Sequence, residues 1–197
     1  MHRTPNPLAA ISLCCLLLAG CRVDEHKDGK GGDNVNIQTP FGSTSIKTGE
    51  GTAPADLGIT AYPGAVPVKE DNGKDNNSAD VNLSFGDFHF GVKTVSLQTP
   101  DPQDKVLAFY RKDLARYGEV IECHNGEPVG QPAETGQGLT CNDHDKNHGT
   151  QGGLELRAGS ERHRHIVEVK LKNGSTHIGL ILLDTPTNFG DKAKVPE

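Results

Sequence analysis

His163-Arg164-His165-Ile166-Val167-Glu168-Val169-Lys170-Leu171-Lys172-Asn173-Gly174-Ser175-Thr176-His177-Ile178-Gly179-Leu180-Ile181-Leu182-Leu183 is the stretch on which the fold turns. His163 to Leu171 and Thr176 to Leu183 read as strands. Between them Asn173-Gly174 is the signal of a type I′ hairpin turn, because both central residues of that turn need positive φ. Leu154 to Arg157 reads as a further strand just upstream, so the last third of the chain is an antiparallel meander.

Upstream of the meander lies the clearest helix. Asp101 suits an N-cap, Pro102 suits the first helical position, and Asp104 puts negative charge in the first turn. Val106, Leu107, Tyr110, Leu114 and Tyr117 form an apolar stripe at spacings of three and four. Arg111, Lys112 and Arg116 lie toward the C-terminal half, and Gly118 is a natural terminator. Glu119 to Cys123 reads as a strand leaving the helix, with Leu139-Thr140-Cys141 predicted to pair back against it.

Further upstream the period returns to two. Val81, Leu83 and Phe85 alternate with polar residues, Gly86-Asp87 reads as a hairpin turn, and Phe88, Phe90 and Val92 continue the alternation. Val95 and Leu97 have the opposite parity, which predicts a β-bulge between Gly91 and Thr94. Asn34 to Gln38 and Ser43 to Thr48 read as short strands joined by a Thr39-Pro40-Phe41-Gly42 turn, and Lys69 to Ser78 as a loop. Strands, one helix, then strands is an α+β order. The expected fold is an antiparallel β-sheet of about five to seven strands packed on one main helix.

The N-terminus carries a different signal. Leu8 to Leu18 is apolar, too short for a spanning helix and right for a secretory leader, with Arg3 before it. Leu18-Ala19-Gly20-Cys21 closes it. This resembles the bacterial lipoprotein signal, in which the chain is cut before the cysteine and the thiol receives a diacylglycerol. The resemblance implies lipidation at Cys21 and a membrane anchor, and the lipid bilayer is then the first partner. Two or three acyl chains hold a protein at a membrane effectively permanently, whereas one does so only marginally. By the enteric sorting pattern, Arg22 permits the outer membrane in place of the inner. The alternative is an ordinary secretory leader followed by a chance cysteine.

The expected organisation is a leader over 1–20, a lipidated flexible tether over 21–33, one α+β domain over 34–185 and a frayed tail over 186–197. The tether reading rests on the charged, Gly-rich run from Arg22 to Asp33. A net charge of −6 argues against nucleic acid as a partner. The absence of Trp and an aromatic content of 5% point to a modest core.

Three internal blocks carry a second resemblance. Thr39-Pro40-Phe41-Gly42, Tyr62-Pro63-Gly64-Ala65 and Lys105-Val106-Leu107-Ala108-Phe109-Tyr110-Arg111 resemble segments of a group of uncharacterised bacterial envelope proteins, many of them lipoproteins. The resemblance implies architecture and an envelope location, with no activity attached.

Cysteine usage follows from the leader. Cys14 and Cys15 leave with it, Cys21 is lipidated, and Cys123 with Cys141 remain as an even pair in an oxidising compartment. That pair is expected as a disulfide, with two free thiols as the alternative. A zinc site is a further alternative. Cys141, His144 and His148 give Cys-x2-His-x3-His, and Cys123-His124 could join them. Arg162 and Arg164 are expected on one strand face, which reads first as a solvated face and, as the alternative, as an anion contact, with His163 and His165 on the other and free to titrate near neutral pH. Asp71, Asp75 and Asp80 invite a calcium reading, but they lack the EF-hand spacing and its terminal Glu. No Gly-x-Ser-x-Gly, His-Glu-x-x-His or phosphate-binding glycine loop occurs. The expected function is therefore a lipid-anchored envelope protein acting as a non-enzymatic binding or accessory module. No catalytic residue and no cofactor are assigned to it, and its protein partner or ligand is open. A zinc-binding periplasmic protein using the 141–148 loop is second, and an envelope hydrolase third.

Overall fold

The computed structural model describes residues 21–27, 32–49, 51–69, 77–141 and 153–186. Among these described residues, eleven strands form one antiparallel sheet, and one α-helix, α1 (Gln103–Leu114), packs on it. The leader over 1–20, Asp71, Asp75, His144, His148 and the tail beyond residue 186 lie outside the described residues. The strands are β1 (Arg22–Lys27), β2 (Asp33–Thr39), β3 (Gly42–Thr48), β4 (Val66–Pro67), β5 (Ser78–Phe85) and β6 (Phe88–Thr99). After the helix come β7 (Ile121–His124), β8 (Glu127–Pro128), β9 (Leu154–Ser160), β10 (His163–Lys172) and β11 (Ser175–Asp184). Their spatial order is β1-β2-β3-β5-β6-β11-β10-β9-β7-β8, with β4 extending the β5 side of β6.

The α+β architecture is as expected, but the strand count exceeds five to seven. The excess comes partly from strands too short or too polar to show a period. β4 and β8 are two residues each. β1 takes up the first half of the run read as a tether over 21–33, and it pairs with β2 from Arg22↔Gln38 to Lys27↔Asp33, while residues 28–31 lie outside the described residues. Its charged sequence suits a sheet edge, where charge discourages pairing with other chains.

The helix and the chain before it define one face of the sheet. α1 lies on β9 and β10, and a 3₁₀ turn at Pro54–Leu57 lies on β6 and β11. Beneath them are Leu57, Ile59, Val95, Leu97, Val106, Tyr110, Leu114, Leu156, Val167, Val169, Ile178 and Leu180, all buried. A smaller cluster, Ile121, Cys123, Leu139 and Cys141, is separate. The register sets it on the opposite face. Ile121 and Cys123 stand opposite Arg157 and Glu155, one residue out of phase with helix-face Leu156.

β6 corrects the predicted bulge. Its pairing with β5 is continuous from Phe85↔Phe88 to Ser78↔Val95, and its pairing with β11 from Asp184↔Gly91 to Thr176↔Thr99. The parity change is therefore a change of face. Val95 and Leu97 point to the helix, whereas Phe88, Phe90 and Val92 point to the far face. Along the Val92 row the same far face carries Leu183, Val81, Ile46 and Val35, and along the Phe90 row it carries Leu83, Ile37 and Val23. β1, β2, β3, β5 and the first half of β6 thus form a wing whose apolar side is opposite the helix. The wing's helix-side positions are polar: Asn36, Ser45, Asn82 and Asp184 share one row.

The helix termini differ slightly from expectation. Asp101 does not cap backbone amides. Its carboxylate accepts from Tyr62 Oη at 2.7 Å and Lys105 Nζ at 2.8 Å, and its carbonyl accepts from Thr176 Oγ1 at 2.6 Å. At the other end α1 tightens into a 3₁₀ turn over Ala115–Tyr117 and stops at Gly118, whose φ is 120°. Two of the blocks singled out in the sequence meet here. The Tyr62 ring stands edge-on to Phe109 at 5.2 Å and lies 6.2 Å from Tyr110.

Candidate functional site

Cys21 is exposed, and it is the unbonded cysteine among the described residues. It directly precedes β1, so nothing intervenes between the lipidation candidate and the sheet. Arg22 pairs with Gln38, which places Cys21 beside the Thr39-Pro40-Phe41-Gly42 turn. No helix among the described residues is long and apolar enough to cross a membrane.

Cys123 and Cys141 are bonded to each other as a disulfide across a separation of 18 residues. They do not meet by strand pairing as predicted. β7 pairs with β8 and β9, while Thr140 bridges Glu134 alone. Arg157 closes this cluster from beneath. It is 3% exposed, pairs with Glu155 at 2.7 Å, and donates from Nη1 to the Thr140 carbonyl at 3.3 Å. With its sulfur bonded to that of Cys123, Cys141 offers no thiolate to zinc, so the Cys-x2-His-x3-His set is incomplete in this oxidised form. Among the described residues no group of three or more His, Cys, Asp or Glu is arranged to hold a metal.

The residues around the β9–β10 turn depart from expectation. Arg162 lies in the turn before β10, while Arg164 is on the strand and donates from Nε to the Glu161 carbonyl at 2.8 Å. Of the two, Arg164 alone lies on the strand. His163 and His165 do share a face, with ring centroids 4.9 Å apart. His163 Nδ1 meets the Asp184 carboxylate. His165 is buried at 2% exposure and stacks on Tyr117 at 3.5 Å. Burial, with His163 and Arg116 nearby, pushes the His165 pKa down to about 4, so its ring is neutral at neutral pH. Its Nδ1 is buried without a hydrogen bond. Asp113, Arg116, Thr60 and the Gly58 carbonyl brace the same corner, where Arg116 and Tyr117 both donate to Gly58.

A groove of about 190 Å³ runs over the far face of β6, β11 and β10. Glu168 lines it with Lys170 Nζ at 2.9 Å, beside Lys172, His177, Ser96 and the apolar Val68, Leu97 and Ile178. Gly153 and Gly179 flank the Glu168 side chain, and a Cβ at either position would sit in ordinary contact with it at 3.4 Å. Burial, Lys172 and Lys170 all hold the His177 pKa below the usual imidazole range. The groove is smaller than the roughly 300–1,000 Å³ of drug-sized ligand sites. The sequence did not single it out, because Lys and Glu alternating on a strand also read as a solvated face.

Comparison with known proteins adds no relative: no protein-family model, curated protein or solved structure matches this chain.

Proposed function

We propose that this is a lipid-anchored cell-envelope protein whose α+β domain is a non-enzymatic binding or accessory module. The observation that carries the reading is Cys21: exposed, unbonded, next to the first strand, and preceded by Leu18-Ala19-Gly20. The Cys123–Cys141 disulfide fits an oxidising compartment such as the one a secretory leader would reach. The resemblance of the Thr39–Gly42, Tyr62–Ala65 and Lys105–Arg111 blocks to envelope lipoproteins points the same way. On this reading the outer membrane is the expected location. The polar corner around His163 is structural, since His165 is buried and neutral there.

Labelling with an alkyne-bearing fatty acid in a diderm bacterial host tests the anchor. The wild-type chain should take up the label and Cys21→Ser should not. Equal labelling of the two, or none in either, contradicts lipidation at Cys21.

A further inference from the structure

The geometry points to a second membrane contact: the hairpin tips carrying Phe41, Phe85 and Phe88 dock into the lipid interface beside the acylated Cys21. This rests on the anchoring reading above and adds an orientation to it.

Strand direction carries the argument. β1 and β3 run away from one end of the wing, β2 and β5 run toward it, and β6 runs away again. Arg22↔Gln38, Thr39↔Gly42, Gly42↔Phe85 and Phe85↔Phe88 are therefore neighbouring pairs at that one end. At about 4.8 Å per strand, Cys21 and Phe88 are roughly 20 Å apart across the sheet. With β1 starting at the next residue, there is no tether to hold this end off a bilayer in which the acyl chains sit.

Exposure supplies the second observation. Large apolar side chains left in solvent include Phe41 at 84%, Val23 at 57%, Phe85 at 48% and Phe88 at 38%. All four lie at or one row from the Cys21 end, and the half-buried far-face row of Ile37, Leu83 and Phe90 continues the surface inward. A contiguous exposed apolar patch marks an interaction surface. Here the covalent anchor says which partner reaches it. Asp87 sits in the turn between Phe85 and Phe88, which confines the contact to the headgroup level.

The chain has no Trp, so one introduced indole reports its site alone. The test takes the acylated protein with Phe41→Trp, reconstituted in phosphatidylethanolamine–phosphatidylglycerol vesicles, with and without brominated phosphatidylcholine. Leu171→Trp, from a 65% exposed site beside the β10–β11 turn at the opposite end of the β10–β11 hairpin, is the control. The expected result is blue-shifted emission from the Phe41→Trp protein, quenched at least twofold by bromolipid, with the Leu171→Trp protein unquenched. Vesicle-bound Phe41→Trp protein whose indole emission stays solvent-like overturns the contact and leaves the anchor standing. A blue shift without bromolipid quenching assigns the tips to a second copy of the chain and also overturns it. Equal quenching of the two variants contradicts the orientation. Failure of Cys21 to take up fatty acid overturns the anchoring reading itself, and this inference with it.

Discussion

Tyr62 and His165 are two residues whose surroundings the structure alone reveals, and His165, expected to titrate near neutral pH, is held neutral there by burial. Tyr62 is buried, yet its hydroxyl reaches the Asp101 carboxylate, which Lys105 also grips. Those two hydrogen bonds, that from Lys105 foremost, hold the Asp101 carboxyl below its usual range. Such a group contributes stability above the unfolded-state pKa, and the contribution is lost as pH falls through the folded one. Tyr62→Phe should therefore lower the urea midpoint at neutral pH, and the gap from wild type should narrow below about pH 4. Urea titrations at several pH values check this, and a pH-independent gap would refute it. His165 has the same sign by a different route. Its neutral form is favoured in the fold, so stability is full above the ordinary imidazole value of 6.5 and falls as pH drops toward about 4. The loss should be on the order of 3 kcal/mol. His165→Phe keeps a ring against Tyr117 and removes a buried unpaired nitrogen. Thermal melts of this variant should show a flatter pH slope between those limits. The sequence placed His163 and His165 together on one face. It did not show that one would be buried under Tyr117, because the stacking partner comes from the distant end of the helix.

The elements differ in how plainly the chain announces them. The Asn173-Gly174 hairpin was legible because positive φ at both residues, 54° and 79°, is a local demand that few sequences meet. The helix was legible because its stripe faces one core. β6 was half legible. Its apolar residues change face at mid-strand, and a reading that assumes one buried face per strand must invent a bulge to reconcile them. The change makes sense only once β6 is seen to leave the helix-covered half and enter the wing. It also sets a prediction. Leu97→Ala, on the helix face, should cost about 2–5 kcal/mol in urea unfolding. Val92→Ala, on the half-exposed far face, should cost no more than about 1 kcal/mol. Similar losses at both positions would place them in one core and contradict the face change. β1 was not legible, because its run from Arg22 to Lys27 has the composition of a linker. What makes it a strand is the open edge of β2, a tertiary fact.

At the scale of the whole molecule, two cores on opposite faces stabilise one sheet. The larger core is closed by α1, the smaller by the chain that Cys141 ties to β7. On the chain-entropy account that link contributes about 3 kcal/mol. Reduction, or the pair Cys123→Ala and Cys141→Ala, should lower stability by that order in urea while leaving the far-UV signature of the sheet. Cysteine parity, on the expectation of a cleaved leader, pointed to the pair but not to the Arg157 side chain beneath it. The proposed anchor at Cys21 is read from the sequence motif alone, whereas the tips emerge only when the register sets the strand-end residues Phe85 and Phe88 beside the turn that carries Phe41. On the proposed reading, this sheet is fixed to a membrane by the residue that begins it. The most direct test is the intact mass of the protein purified from a diderm bacterial host, with and without reductant. A chain starting at acylated Cys21, gaining two hydrogens on reduction of the Cys123–Cys141 bond, is the predicted result. A chain that retains its leader, or starts at an unmodified residue, would contradict the account.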